Sequence, residues 1–446
     1  MRDTEDFVLN IDAQDLLTCD FTHTIYRQLV FFPQEVIPLM DLVANEIYQE
    51  ISGDSAIAHD SIQVRPFNLQ HAVNLRELNP EDVDKYISIK GLVIRSSNII
   101  PDLRVAFFKC KSCGAVITRE NIKGKISEPQ KCEKPDCLAP SSLILIHNRC
   151  VFGDKQLIKI QETPDSVPDG QTPHSVTLCV YDSLVDFVRP GDRVEVCGIY
   201  RASPIRVNHR QRRLKSVFRT YLDVVHMRIP DDRSPKQSSW QNDKKIANEI
   251  FASSQNIYED LCKSLAPGIW NLDDVKKGLL LQLFGGVSKT LLSSSTNRFR
   301  GDINILLAGD PGVSKSQLLS YVHKISPRGI YTSGKGSSAV GLTAYVVRDP
   351  ESNQLVLESG ALVLSDGGIC CIDEFDKMND QTRAILHEVM EQQTVSIAKA
   401  GIITSLNART SILAAANPID SKYNSSKSIV ENINLPPTLL SRFFIF

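Results

Sequence analysis

The sequence predicts a multidomain chain: a helical N-terminal segment, a small all-β domain, and a C-terminal α/β domain with a largely parallel sheet. Three observations lead there. The apolar period changes from helical to β-like near Ile87, two cysteine pairs lie inside the β-like segment, and strands alternate with helices beyond residue 247. A chain of 446 residues has room for two to four domains of roughly 100–200 residues each. At 42% hydrophobic and 23% charged residues, each domain can bury its own core. The expected boundaries are 1–65 for the helices and 66–227 for the β domain, with a cysteine-bearing insertion at about 106–145 and a basic hairpin at about 199–221. A linker then covers 228–246, and the α/β domain covers 247–446.

The helical segment rests on TIYRQLVFFPQEVIPLMDLVANEIYQEI, where Pro33 and Pro38 predict more than one helix. From Ile87 short runs follow, ISIKGLVIRSS, RVAFFKC, HSVTLCVYD and DRVEVCGIYRAS, punctuated by turns such as RPGD (Arg189–Asp192). They suggest a small barrel or sandwich. RIPDDRSPKQSSWQNDKK (Arg228–Lys245) is nearly free of aliphatic residues and reads as an interdomain linker. Beyond it INILLAG, GGICCID and TSILAAAN read as strands, and SQLLSYVHKI and DQTRAILHEVMEQQ as helices.

A net charge of −2 gives no general preference for nucleic acid, so any such role must come from local basic patches. The longest apolar runs fall far short of the roughly 20 residues that span a bilayer, and the start, MRDTEDF, is acidic with no apolar core of a secretory signal. Eleven cysteines, four of them clustered in pairs, fit a reducing compartment with one metal site better than a disulfide framework. A soluble intracellular protein is expected.

The chemistry concentrates in INILLAGDPGVSKS (Ile303–Ser316), close to the phosphate-loop pattern G-x-x-x-x-G-K-[ST] but with Ser314 where the second glycine belongs. A strand running through a Gly-rich turn into a helix gathers backbone N–H groups and a positive helix end around one point. Gly309, Asp310, Pro311, Gly312, Val313, Ser314, Lys315, Ser316 and Gln317 would form the cradle. Lys315 would reach the β- and γ-phosphates of ATP, and the Ser316 hydroxyl would hold Mg²⁺. Ser314, at the helix entry, is expected to have ordinary helical backbone. A decorative turn before a helix is the bland alternative. About 60 residues on, Asp373 and Glu374 end the strand ICCID; two acids there are costly without a cation or water beside them. Asp373 would support the Mg²⁺ shell and Glu374 would polarise the attacking water, while Asn417, ending SILAAAN, could orient that water or the γ-phosphate.

Cys110-x₂-Cys113 and Cys132-x₄-Cys137 make a four-thiolate set on two short knuckles, suited to structural Zn²⁺. Buried free cysteines are the alternative, and the surroundings KCKSCG and QKCEKPDC are not core-like. The other cysteines, Cys370 and Cys371 among them, read as core.

Together, GDPGVSKS, IDEFDKM, LLSRF and APGIWNLDDVKKGLLLQLFGG (Ala266–Gly286) resemble the minichromosome maintenance (MCM) replicative helicases, a branch of the AAA+ ATPases, over about Thr22 to Arg442. The resemblance implies an N-terminal helical bundle, an OB-fold barrel with a zinc ribbon and an AAA+ P-loop ATPase domain. It implies a subunit of a heterohexameric ring on single- and double-stranded DNA, working in the nucleus with origin-loading and fork factors. Each ATP would lie between neighbours, with Arg442 of LLSRF acting in trans.

For DNA, YRASPIRVNHRQRRLKSVFRTY carries Arg206, Arg210, Arg212, Arg213 and Lys215 with no acid between Tyr200 and Tyr221, so a hairpin tip would crowd cations suited to phosphate. A solvated loop or a nuclear-localisation signal in RQRRLK are the alternatives. TVSIAKAGIITSLNA reads as a hairpin turning at Lys399, which in the family contacts DNA, and GLTAYVVRDPESNQLVLESGALVLSDGG as the strand pair of the family's helix insertion. The chain ends SRFFIF where the family pattern continues SRFDLIF into a lid subdomain, so a C-terminally truncated product is expected. Two other readings stay open: a non-catalytic DNA-binding or assembly form, and a related AAA+ remodeller.

Overall fold

The computed structural model describes residues 7–52, 62–121, 142–206, 214–229, 256–290, 298–348, 355–399 and 402–443, isolated positions within these spans excepted. Ile126, Pro129, Lys131, Cys132 and Cys137 are also described. The chain divides into two compact units, Met1–Arg189 with Val194–Ile229 and Pro190–Arg193 with Pro230–Phe446.

In the first unit β1 (Val8–Asp12) runs parallel to β2 (Gln63–Phe67), and α1 (Asp20–Phe31) and α2 (Pro33–Ser52) lie between them in sequence. Residues 8–12 are thus a strand within a region expected to be helical. A five-residue partner in QVRPF decides it, since strand formation follows available pairing more than local propensity. Pro33 opens α2, where a missing N–H costs nothing. The helices bury Leu29 beside Tyr26, Ile37 and Met40, in one cluster with Tyr86 and Ile199 of the barrel.

The barrel strands are β3 (Ala72–Val73), β4 (Tyr86–Ser96), β5 (Ile100–Cys110), β6 (Val116–Glu120), β7 (Leu143–Leu145), β8 (Val151–Gln161), β9 (Ser175–Tyr181), β10 (Arg193–Arg206) and β11 (Leu214–Arg228). The order β4-β10-β11-β9-β8, with β8 returning to pair β4, closes five strands into a small barrel. Alternate residues fill it: Ile87 and Ile89, Ile158 and Ile160, Leu178 and Val180, Val194 and Val196, Leu222 and Val224. β5 runs on past the barrel to pair β6 and β7, and ends at Cys110, the first of the clustered cysteines.

In the second unit a short pair, β12 (Lys289–Thr290) and β13 (Arg298–Phe299), precedes β14 (Ile305–Ala308), α3 (Lys315–Ile325) and β15 (Ile330–Ser333). The hairpin of β16 (Ala344–Arg348) and β17 (Leu355–Ser359) follows, then β18 (Ile369–Asp373) and α4 (Asp380–Gln392). A second hairpin of β19 (Thr394–Lys399) and β20 (Ile402–Asn407) leads to β21 (Ser411–Ala416). Four strands form a parallel sheet in the order β14-β21-β18-β15. Both faces are covered, so its strands read as continuous apolar runs. Ile305, Leu307, Cys371, Leu413 and Ala415 pack on Leu318, Leu319 and Val322 of α3. Leu306, Cys370, Ile372, Ile412 and Ala414 face the opposite layer, with Leu386 and Val389 of α4. The two adjacent cysteines are core on opposite faces. The expected linker lies outside the described residues, apart from its first two.

Candidate nucleotide site and cysteine cluster

β14 is buried along Ile305–Leu307, and the chain leaves it at Ala308 into the loop that ends at Lys315, the first residue of α3. The loop turns through two left-handed residues, Gly312 at φ +89° and Ser314 at φ 58°, ψ 22°. Ser314 therefore does not have the helical backbone expected of it. The chain must swing out of the loop before α3 can begin, and the residue before Lys315 takes that bend. Glycine enters this region freely and serine does so at a cost. The serine hydroxyl caps nothing, but its carbonyl accepts the Leu318 N–H at 3.1 Å.

Lys315 Nζ donates to the carbonyl of Gly309 and, at 2.8 Å, to that of Asp310, so the loop closes on its own ammonium. Burial lowers the Lys315 pKa, and the charges of Asp310, Asp373 and Asp376 oppose that. The fold thus assembles around the lysine acids that are distant in sequence. Parallel register does this: Ala308 pairs with Ala416, and Ser333 with Asp373, which brings the phosphate loop, the Asp373–Glu374 corner and Asn417 to one sheet edge.

Asp373 accepts the Tyr331 hydroxyl on Oδ2 at 2.9 Å and the Glu374 N–H on Oδ1 at 2.8 Å. Burial first, then the bond to Asp373 and its charge, pushes the Tyr331 phenol up to about 12. Glu374 sits at φ 51°, and its Oε1 is 2.6 Å from Lys377 Nζ; that hydrogen bond raises the lysine's pKa. The Asn417 N–H donates to Asp376 Oδ1 at 3.1 Å.

Arg442 keeps different company. It pairs with Glu391 of α4 at 2.9 Å, with Arg300 close enough for the two guanidinium charges to repel. Arg300 donates in turn to the Met390 carbonyl, and the Arg442 carbonyl accepts from Asn304 Nδ2 at 3.3 Å. Phe443 beside it is buried and meets Phe375 edge to face, with ring centroids 5.8 Å apart. Tyr331, Lys377, Glu391 and Arg300 were not singled out in the sequence. Each looks there like an ordinary strand or surface residue, and only pairing across the fold gives it a place.

The Sγ atoms of Cys110, Cys113, Cys132 and Cys137 all lie within 4.8 Å of one another. Cys110–Cys137 are 3.9 Å apart and Cys113–Cys132 3.6 Å. A tetrahedron with Zn–S bonds of ~2.3 Å has edges of ~3.8 Å, so the two pairs are already at the spacing zinc requires and all four thiols lie close to it. The Ser142 hydroxyl, 3.2 Å from Cys110 Sγ, and backbone amides of Cys113 and Ser112 hold that thiol down to about 6, against desolvation. The set is suited to binding as thiolate.

Of the residues expected at DNA, Arg206 and Lys215 stand on β10 and β11 near the end of their ladder, where Arg206 is opposite Leu214. Arg210, Arg212 and Arg213 lie outside the described residues. Arg201 pairs across the ladder with Asp223 at 2.5 Å. Lys399 ends β19, opposite Ile402. Among the described residues no helix is long and apolar enough to cross a membrane.

Three family models match in order: the MCM N-terminal domain over residues 1–68, the MCM OB domain over 74–204 and the MCM P-loop domain over 243–446. DNA replication licensing factor mcm4 of Schizosaccharomyces pombe is 57% identical across 98% of this chain and 51% of its own length. The MCM4 protein of Arabidopsis thaliana is 54% identical across 98% of this chain and 52% of its own. The fission-yeast factor mcm7 is 45% identical over 83% of this chain and 49% of its own. The chain spans about half the length of the curated relatives it matches. With all three domain models matched in sequence along it, the chain belongs to the MCM family.

Proposed function

We propose that this chain is an ATP-hydrolysing subunit of a hexameric, nuclear DNA helicase that acts in replication licensing, origin unwinding and fork progression. One observation carries the reading. Lys315 and the Asp373–Glu374 corner converge on one sheet edge, whereas Arg442 pairs with Glu391 of α4. That division suits a ring in which a nucleotide is held by one subunit and completed by an arginine from the next.

The chemistry follows from the residues. Lys315 exchanges its loop carbonyls for β- and γ-phosphate oxygens, which restores the charge partner that burial denies it. Ser316 and Asp373 would hold Mg²⁺, which supplies charge neutralisation between the β- and γ-phosphates when bound. Glu374 accepts a proton from the attacking water, while the ion pair of its Oε1 with Lys377 restrains the side chain. Asn417 orients the water or the γ-phosphate, and the partner-facing Arg442 neutralises charge on the transferring group. Arg206, Arg210, Arg212, Arg213 and Lys215 on the barrel hairpin and Lys399 on the second hairpin contact DNA phosphates without reading bases. Zinc on the four cysteines is structural, because four protein ligands leave no open position.

The test is a ring reconstituted with its companion subunits, in which Lys315→Ala should abolish this subunit's contribution to ATP hydrolysis and slow unwinding. Unwinding indifferent to the substitution would overturn the motor assignment. The barrel with its cationic strand pair and cysteine cluster supports one second reading: a DNA-binding or assembly form without its own turnover. In that case DNA binding and ring assembly persist while ATP hydrolysis never depends on Lys315.

A further inference from the structure

The chain itself takes up both oxygens of the Asp373 carboxylate. Oδ1 accepts the neighbouring Glu374 amide at 2.8 Å, a bond any residue at 374 but proline would supply. Oδ2 accepts the Tyr331 hydroxyl at 2.9 Å, and that bond depends on the side chain. Tyr331 comes from β15, the edge strand of the parallel sheet, where it pairs with Cys371 while Ser333 pairs with Asp373. Its phenol therefore reaches two residues forward to the acid on the next strand. Across from it, His323 of α3 is buried, with its ring tilted 56° to the tyrosine's at a centroid distance of 6.3 Å.

Packing does not explain a tyrosine here. The residue is 40% exposed, so a phenylalanine would bury nearly the same apolar surface and leave no polar atom to satisfy. What the hydroxyl adds is one hydrogen bond to an ionised acceptor at the end of a buried strand. The torsion it restrains is soft, because a carboxylate turns about its last bond through a broad two-fold well.

We infer that Tyr331 is a positioning residue for the reaction: its phenolic O–H fixes the rotation of the Asp373 carboxylate, leaving each oxygen a further lone pair for a divalent cation or its water. This rests on the nucleotide-site reading proposed above. Without the hydroxyl the carboxylate samples more orientations, and the metal-dependent part of nucleotide affinity weakens. The contacts of Lys315 and the loop amides with phosphate do not involve Asp373 and stay as they are.

The experiment titrates the full chain with a fluorescent ATP analogue, once with excess Mg²⁺ and once in EDTA. It reads the gain in affinity that Mg²⁺ confers. Tyr331→Phe should leave affinity in EDTA unchanged and cut the Mg²⁺ gain about 3- to 10-fold, the range of one hydrogen bond. In an Asp373→Asn background the same change should have no further effect, because the two side chains act as one unit. A Tyr331→Phe chain with the parent's full Mg²⁺ gain overturns the positioning role. So does an equal loss with and without Mg²⁺, which would mark the tyrosine as structural. A parent chain with no Mg²⁺ gain would instead overturn the nucleotide-site reading itself.

Discussion

Restoring the missing glycine of the phosphate loop should stabilise the second unit. Ser314 holds φ 58°, ψ 22°, with its side chain unused as a cap. A non-glycine residue in this region gives up roughly 1–2 kcal/mol relative to right-handed backbone. Glycine avoids that but loses about 0.5–1 kcal/mol more chain entropy on folding. Ser314→Gly should therefore gain a few tenths to about 1 kcal/mol. For a unit of this size 1 kcal/mol moves the melting temperature by about 2–4 °C, so a rise of about 1–4 °C is expected. Ser314→Val, branched at Cβ, should lower it, and Ser314→Ala should leave it nearly unchanged because no serine hydrogen bond is lost. Differential scanning calorimetry of the full chain reads all three. A glycine variant that melts lower than the parent, or a valine variant that melts at the same temperature, would show that this backbone is not left-handed.

Two further outcomes follow from pairings elsewhere. The Cys110 thiol, held down to about 6 by Ser142 and neighbouring amides, should appear as thiolate absorbance near that pH in metal-free protein, and Ser142→Ala should move it upward towards the usual thiol range. Its folded pKa lies below its unfolded one, so its contribution to stability is present above the unfolded value, near 9, and fades as pH falls through about 6. Zinc retention measured against pH should weaken in the same window. At the other site, Glu391→Ala removes the carboxylate that holds Arg442, and ATP hydrolysis by an assembled ring should fall about 10- to 100-fold, as expected for a displaced reacting group. Unchanged turnover would mean that Glu391 does not set the arginine's position.

Much of the second unit could be read from sequence because its strands are continuous apolar runs ending in polar residues, and a parallel sheet collects such ends on one edge. Asp373, Glu374 and Asn417 were placed at that edge in this way, and Lys315 by the phosphate-loop spacing. The cysteine cluster was legible from spacing alone, because four thiols on two knuckles meet in few other ways. Ser314 was misread, since a helix-entry serine carries no local sign that its φ is positive; that follows from the direction in which the loop must leave β14. Tyr331 and Glu391 were invisible for a related reason. Their significance is a partner supplied by another strand or by the far end of the chain. The strand at Val8–Asp12 depends likewise on a partner more than 50 residues away.

The meeting of Phe375 with Phe443 has its own consequence. Phe375 directly follows Glu374, proposed above to act on the water at this chain's own nucleotide, and Phe443 directly follows Arg442, proposed to act on a neighbour's. Their rings touch edge to face, 5.8 Å between centroids, inside one buried cluster. The two charged groups thus stand on a common foundation, and a tilt of one footing is a tilt of the other. In a ring of such subunits this hydrocarbon packing would link one pocket to the next alongside the Arg442–Glu391 ion pair. Salt screens exposed charges beyond about 8 Å at physiological ionic strength but leaves buried packing in place. The packing part of such a link would then persist at ionic strengths that weaken the ion pair beside it.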